Sequence, residues 1–114
     1  YKAAEAKYRP DFDQEGHPLH AKGGAWSRVG DFFFQPFYYI DYALAQVCAL
    51  QFWMRSEADR KTAWADYLRL CKRGGSLSFL DLLEVARLDS PFEPKTLQRV
   101  AKAVEDRLDQ LADS

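Results

Sequence analysis

The sequence predicts an all-α, bundle-like fold of about four main helices behind a long N-terminal loop. Three observations carry this expectation. Apolar residues in the second half of the chain recur at spacings of three and four, the period of an amphipathic helix. The breaks between these runs hold Gly, Pro, Ser and Asp, which stop one helix and cap the next. Between them and the loop, Ala43, Leu44, Ala45, Ala49 and Leu50 all favour helix.

In chain order, residues 2–8 form a short helical stretch stopped by Pro10. Residues 10–30 hold Gly16, Pro18, Gly23, Gly24 and Gly30 without a sustained period, and so read as loop. A loop of that length is more often functional than idle. His17 and His20 lie in it, with Asp11, Asp13 and Glu15 nearby. Metal binding is one reading of this cluster; exposed histidines without a helix to fix their geometry is the plainer one.

A helix is expected over residues 36–55, opened by Pro36 at a first-turn position where no N–H is needed, with Ser56 as its stop and the next N-cap. At about 100° per residue, Phe37, Ile40, Leu44, Val47 and Cys48 gather on a core side. Tyr39, Tyr42, Gln46 and Trp53 gather on another, bordered by Tyr38, with Ala45 and Ala49 keeping the surface low. Those hydroxyl and amide groups point at a ligand or bond a neighbouring segment, and the pattern leaves both open.

Ser56-Glu57-Ala58-Asp59 reads as an N-cap with an acidic first turn. The helix it opens should run to Arg73 with Ala63, Trp64, Tyr67, Leu68, Leu70 and Cys71 inward, and Gly74-Gly75 should end it. Ser78 caps a shorter helix over residues 79–88. Asp89-Ser90-Pro91 breaks the chain, and Pro94 opens an amphipathic helix reaching Ala112. After Met54 this reading finds scaffold rather than chemistry.

Composition restricts the functional classes. A chain of 114 residues with 47% hydrophobic and 29% charged residues suits one globular domain with a modest core. A net charge of −1 with 16 dispersed basic residues gives no support for nucleic-acid binding. Cys48 and Cys71 lack C-x-x-C spacing and read as reduced thiols on apolar faces, a single disulfide being the alternative. The opening YKAAEAKYRPD is too polar for a signal peptide, so a cytoplasmic setting is expected. Asp41, Gln46 and Gln51 interrupt the apolar segment after Pro36, and a mid-helix Asp costs about 2.5–3.5 kcal/mol on insertion, which argues against a membrane span. The chain starts at Tyr1 as though within a helix, so it is expected to be part of something longer.

The run W-x-R-x-x-D-x-F-x-x-PFYYIDYALAQVCALQFW, with YRPDFD and Gly23-Gly24 before it and DYLRLCKRGGSLSFLDLLEVARLDSPF after it, resembles the C-terminal region of M3-family zinc metallopeptidases, the oligoendopeptidase F group. The resemblance covers essentially residues 1–114 and implies the C-terminal helical part of a catalytic domain. It implies a parent that hydrolyses short peptides with a zinc ion held by an upstream H-E-x-x-H helix and a later glutamate. Neither is present in these residues, so this chain is expected to bind no zinc and to be inactive alone. In that family a His and a cluster of tyrosines lie across the cleft from the metal. The tyrosine hydroxyls donate to the substrate carbonyl as it becomes an oxyanion. The matching residues are Tyr42, as oxyanion donor, and Tyr39, as substrate contact, with Tyr38 beside them.

One departure stands out: five residues before Pro36, where the family usually has His, this chain has Asp31. An ionised aspartate accepts hydrogen bonds but donates none. Arg28 keeps its place two beyond Trp26 and is in reach of Asp31 or Asp41. Asp41, near the apolar face, is expected to have a partner. Phe32 to Phe34 suit a cleft wall, and association of copies through residues 32–37 is expected where that surface is uncovered. A reading of another class stands beside the peptidase: a helical interaction module that uses the aromatic stripe of residues 36–54.

Overall fold

The computed structural model describes residues 1–11 and 16–113, and no strand occurs among them. Its elements are α1 (Lys2–Tyr8), α2 (Pro18–Ala21), a 3-10 turn (Gly24–Arg28), α3 (Asp31–Phe34), α4 (Tyr39–Arg73), α5 (Phe79–Ala86) and α6 (Pro94–Ala112). The chain divides into two compact units, Tyr1–Ile40 and Asp41–Ser114. No helix among the described residues is long and apolar enough to cross a membrane.

In the first unit, the segment read as loop contains single helical turns at Pro18–Ala21 and Gly24–Arg28. Pro18 opens α2 at its first position, and Lys2 Nζ donates to Ala21 O at 2.6 Å, tying α1 to the end of α2. Gly23 makes this approach possible. Its φ is +84°, and a Cβ there would lie 2.9 Å from Lys2 Cβ, so a side chain is excluded twice over. Glu5 and His20 are buried, yet Glu5 Oε2 and His20 Nε2 find no hydrogen-bond partner among the described residues.

The second unit rests on α4 and α5. Leu83, Ala86 and Leu88 form the buried core, with Cys48, Phe52 and Leu70 packed on it. The polar groups around that core are partnered. Gln51 grips the chain after α5 at two points: Nε2 donates to Asp89 O at 3.0 Å and Oε1 accepts from Asp89 N at 2.9 Å. Arg55 donates to Ala86 O at 2.9 Å and Arg87 O at 3.0 Å, and pairs with Asp66. Arg69 pairs with the other oxygen of Asp66, whose side chain is fully buried.

Several expectations are corrected here. The central helix starts at Tyr39, not Pro36. Gln35 precedes a proline and is held out of the helical region, with φ −142° and ψ 70°, and Phe37 takes φ +71°, which no helix continues through. Asp59, with φ −151° and ψ 93°, breaks α4 and caps its second half: its carboxylate accepts from Lys61 N, Thr62 N and Thr62 Oγ1. Ser56, the expected cap, instead bonds back to Trp53 O at 2.8 Å. Phe37 and Ile40, expected inward, are exposed, as are Trp64, Tyr67, Leu68 and Cys71. The face of α4 that turns inward after the break is instead set by Ala63 and Asp66. Asp41 is exposed in the first turn of α4, where the helix dipole favours a carboxylate, so burial makes no demand for a partner. The shorter helix ends at Ala86, with Arg87 in the left-handed region, while the Ser78 cap and the Pro94 start are as expected.

Candidate functional site

The residues singled out from the sequence come from three local structures. Arg28 ends the 3-10 turn and is exposed. Asp31 opens α3 and is half-buried, Gly30 before it being its N-cap. Tyr38 lies in the turn closed by its own N–H to Gln35 O at 3.1 Å. Tyr39 is the first residue of α4 and belongs to the first unit; Tyr42 follows in the second.

Within the first unit, Tyr39 and Phe32 bring their rings to 6.4 Å at a tilt of 44°, and Phe33 stacks on Trp26 at 5.7 Å. The three tyrosines keep much of their surface in solvent: Tyr38 is 41% exposed, Tyr39 55% and Tyr42 56%. They are therefore not buried in the core of this chain. Arg28 makes no ion pair with Asp31; its charge is felt instead by His20, whose imidazole is held below its usual value by burial, by His17 and by Arg28, against the opposing pull of Glu5. Ala45 and Ala49 do keep the surface low, but the apolar cavity they open, about 350 Å³, faces Phe79, Leu82 and Leu83 of α5. Burial there pushes the Cys48 thiol up, which suits packing rather than nucleophilic attack.

The described residues do not fit a zinc ion. No three His, Cys, Asp or Glu side chains gather around one point among them. The only imidazoles, His17 and His20, stack with ring centroids 4.3 Å apart. Asp13 and Glu15, which completed the metal reading of this stretch, lie outside the described residues.

What sequence reasoning passed over lies after Met54: the arginines that surround Asp66 and the turn at Asp89. The one local signal was Arg69 three residues after Asp66, on the same helix face.

No protein-family model matches the chain, and no curated protein matches it. Solved structures do. PZ peptidase A, determined with an inhibitor, is 47% identical over 96% of this chain, with a TM-score of 0.87. A chain assigned as an oligoendopeptidase F is 45% identical over 95%, with a TM-score of 0.85. A Bacillus anthracis chain with the same assignment is 41% identical over 99%, with a TM-score of 0.68. The chain spans only 19%, 19% and 20% of the lengths of these three. The resemblance to oligoendopeptidase F is thus one of sequence and fold together, over a fifth of the larger molecule.

Proposed function

We propose that this chain is the tyrosine-bearing part of an M3-family zinc endopeptidase that hydrolyses short peptides, with Tyr42 donating to the carbonyl oxygen as it becomes an oxyanion and Tyr39 and Tyr38 contacting substrate. The observation that carries this is the exposure of the tyrosines, each left about half in solvent on the outside of its unit. The similarity to peptidase chains supports the reaction class. Asp31 and Arg28 would contact substrate as well, as an acceptor for peptide N–H groups and a cation for carboxylates. The zinc ligands belong, on this reading, to the rest of the parent, and this chain contributes hydroxyl donors alone.

The test is Tyr42→Phe in the full-length parent. Loss of one oxyanion donor should lower kcat on the order of 10² while KM changes little. An unchanged kcat would leave Tyr42 a packing residue. Elemental analysis of the 114-residue chain should find no stoichiometric zinc, and peptide cleavage should be absent.

A second reading has its own observation. Phe34 is 85% exposed and Phe37 94%, which is more apolar surface than these positions need for folding. As an interaction module, the chain would seat a second copy or a partner helix on them. Sedimentation of a Phe34→Ser, Phe37→Ser double variant decides: association that persists without both rings removes this reading.

A further inference from the structure

Where Arg87 sits, a helix termination of this kind calls for glycine. Its N–H donates to Glu84 O at 3.0 Å, and Leu88 N–H donates to Leu83 O at 2.9 Å, the paired bonds of a helix end whose bridging residue is left-handed. Arg87 accordingly has φ +56°. Glycine adopts this conformation freely and arginine does not, and strain held at a non-glycine residue points from geometry towards a use for its side chain.

That use has a place. A cavity of about 350 Å³ opens beside Arg87, lined by Gln51, Met54, Arg55, Asp89 and Arg99 as well. Its charges are unequal. Arg55, Arg87 and Arg99 face it with Asp89, and behind it Arg69 shares Asp66 with Arg55. Four guanidiniums thus meet two carboxylates, on a chain whose net charge is −1. The partners are also unequally committed. Arg55 is used by Asp66 and two carbonyls, and Gln51 by the Asp89 backbone. Arg99 pairs with Asp89 at the surface, which leaves donors of its fork unused. The Arg87 guanidinium makes no hydrogen bond or ion pair among the described residues, although its charge reaches Asp66.

We propose that this pocket binds a small oxyanion carrying two negative charges, a phosphate or a dicarboxylate, gripped by the Arg87 and Arg99 guanidiniums with Arg55 as a fixed positive wall. Planar forks match such oxygens in pairs, and three of them around one cavity with a single opposing surface carboxylate leave positive charge unanswered. The site lies entirely within the second unit and does not depend on the peptidase reading.

Equilibrium dialysis of labelled inorganic phosphate against the chain tests it, at an ionic strength near 0.15 M set with chloride, where non-specific surface attraction is screened. One saturable site per chain is expected. Competition by succinate separates the sources: displacement identifies a site for paired oxyanion charge in general, and none identifies phosphate. Arg87→Gly, which suits the left-handed backbone and should leave the helical circular dichroism intact, should weaken binding about tenfold or more. Arg99→Gln should do the same, whereas Lys102→Gln, which removes a charge paired elsewhere on α6, should not. Absence of a saturable site for both anions, or Arg87→Gly binding as tightly as the native chain, overturns the proposal.

Discussion

The two units treat their buried polar groups in opposite ways. In Asp41–Ser114, the fully buried Asp66 is met by two arginines, and the buried Gln51 amide is closed on both its atoms by the Asp89 backbone. In Tyr1–Ile40, Glu5 and His20 are about as buried, and each carries an atom with no partner among the described residues. Removing one member of a satisfied buried pair strands the other, whereas removing a polar atom that already lacks a partner strands nothing. The same operation should therefore cost stability in one unit and not in the other.

The largest effect is expected at Asp66. Asp66→Asn keeps the shape and removes the charge between Arg55 and Arg69. Because both arginines retain some exposure and can turn to solvent, the loss should be about 2–3 kcal/mol, short of the full penalty for a stranded buried ion. Denaturant unfolding followed by helical circular dichroism measures it. A loss near zero would mean that the arginines gain nothing from the pair.

Acid should separate the units by pH window. Burial raises the Asp66 carboxyl, but the Arg55 hydrogen bond and the charges of Arg55, Arg69 and Arg87 outweigh it, so the group sits below its ordinary 3.8. The folded state then binds fewer protons than the unfolded chain, so this stability is full above about pH 4–5 and is lost as pH falls through and below 3.8. His20 is also lowered, from 6.5, chiefly by burial. It too binds its proton more readily unfolded, so the first unit should begin to lose stability as pH falls below 6.5, well before Asp66 responds. Amide exchange at Ala21 and at Leu70 reports the two units separately. Simultaneous loss of protection in both would break the comparison.

Glu5→Met should reverse the sign seen at Asp66. The buried Oε2 has no partner to lose among the described residues, and an apolar side chain of similar length fills the same space, so stability should hold or rise by about 1 kcal/mol. A clear loss would show that the carboxylate has a use that its hydrogen bonds do not record, with its pull on His20 the first place to look.

The units also differ in how much of them the sequence disclosed. Ser78, Pro94 and the apolar period of α6 were legible because capping and amphipathicity are local, set within one or two turns. Gln51 and Asp66 were not, because what makes them buried lies 38 residues away at Asp89 and 11 away at Arg55. Locally they are only a polar residue in a helix. The helical turns at Pro18–Ala21 and Gly24–Arg28 were hidden for the opposite reason: each is too short to show a period. At the candidate site, Tyr39 and Tyr42 could be placed on a helix from their spacing, and their exposure followed only from what the rest of the chain leaves uncovered.

The smallest expected effect lies at the break in α4, where Ser56, the cap expected from the sequence, and Asp59 stand three residues apart. Ser56 follows the last apolar run and was the natural choice, but its hydroxyl bonds back to Trp53 O inside the helix, a bond that contributes little there. Asp59 leaves helical geometry and takes two free N–H groups and the Thr62 hydroxyl, which is what an N-cap does. Those bonds hold its carboxyl below the ordinary value, the Thr62 hydroxyl foremost. Asp59→Ala should therefore lower the unfolding midpoint by a few degrees at neutral pH, and less in acid, where the native carboxylate begins to protonate. Ser56→Ala should leave the midpoint unchanged at either pH. Thermal unfolding of the two variants side by side decides which residue starts the second half of α4. Equal midpoints would mean that packing around Ala63 and Asp66 sets the break by itself, with the cap following the fold rather than directing it.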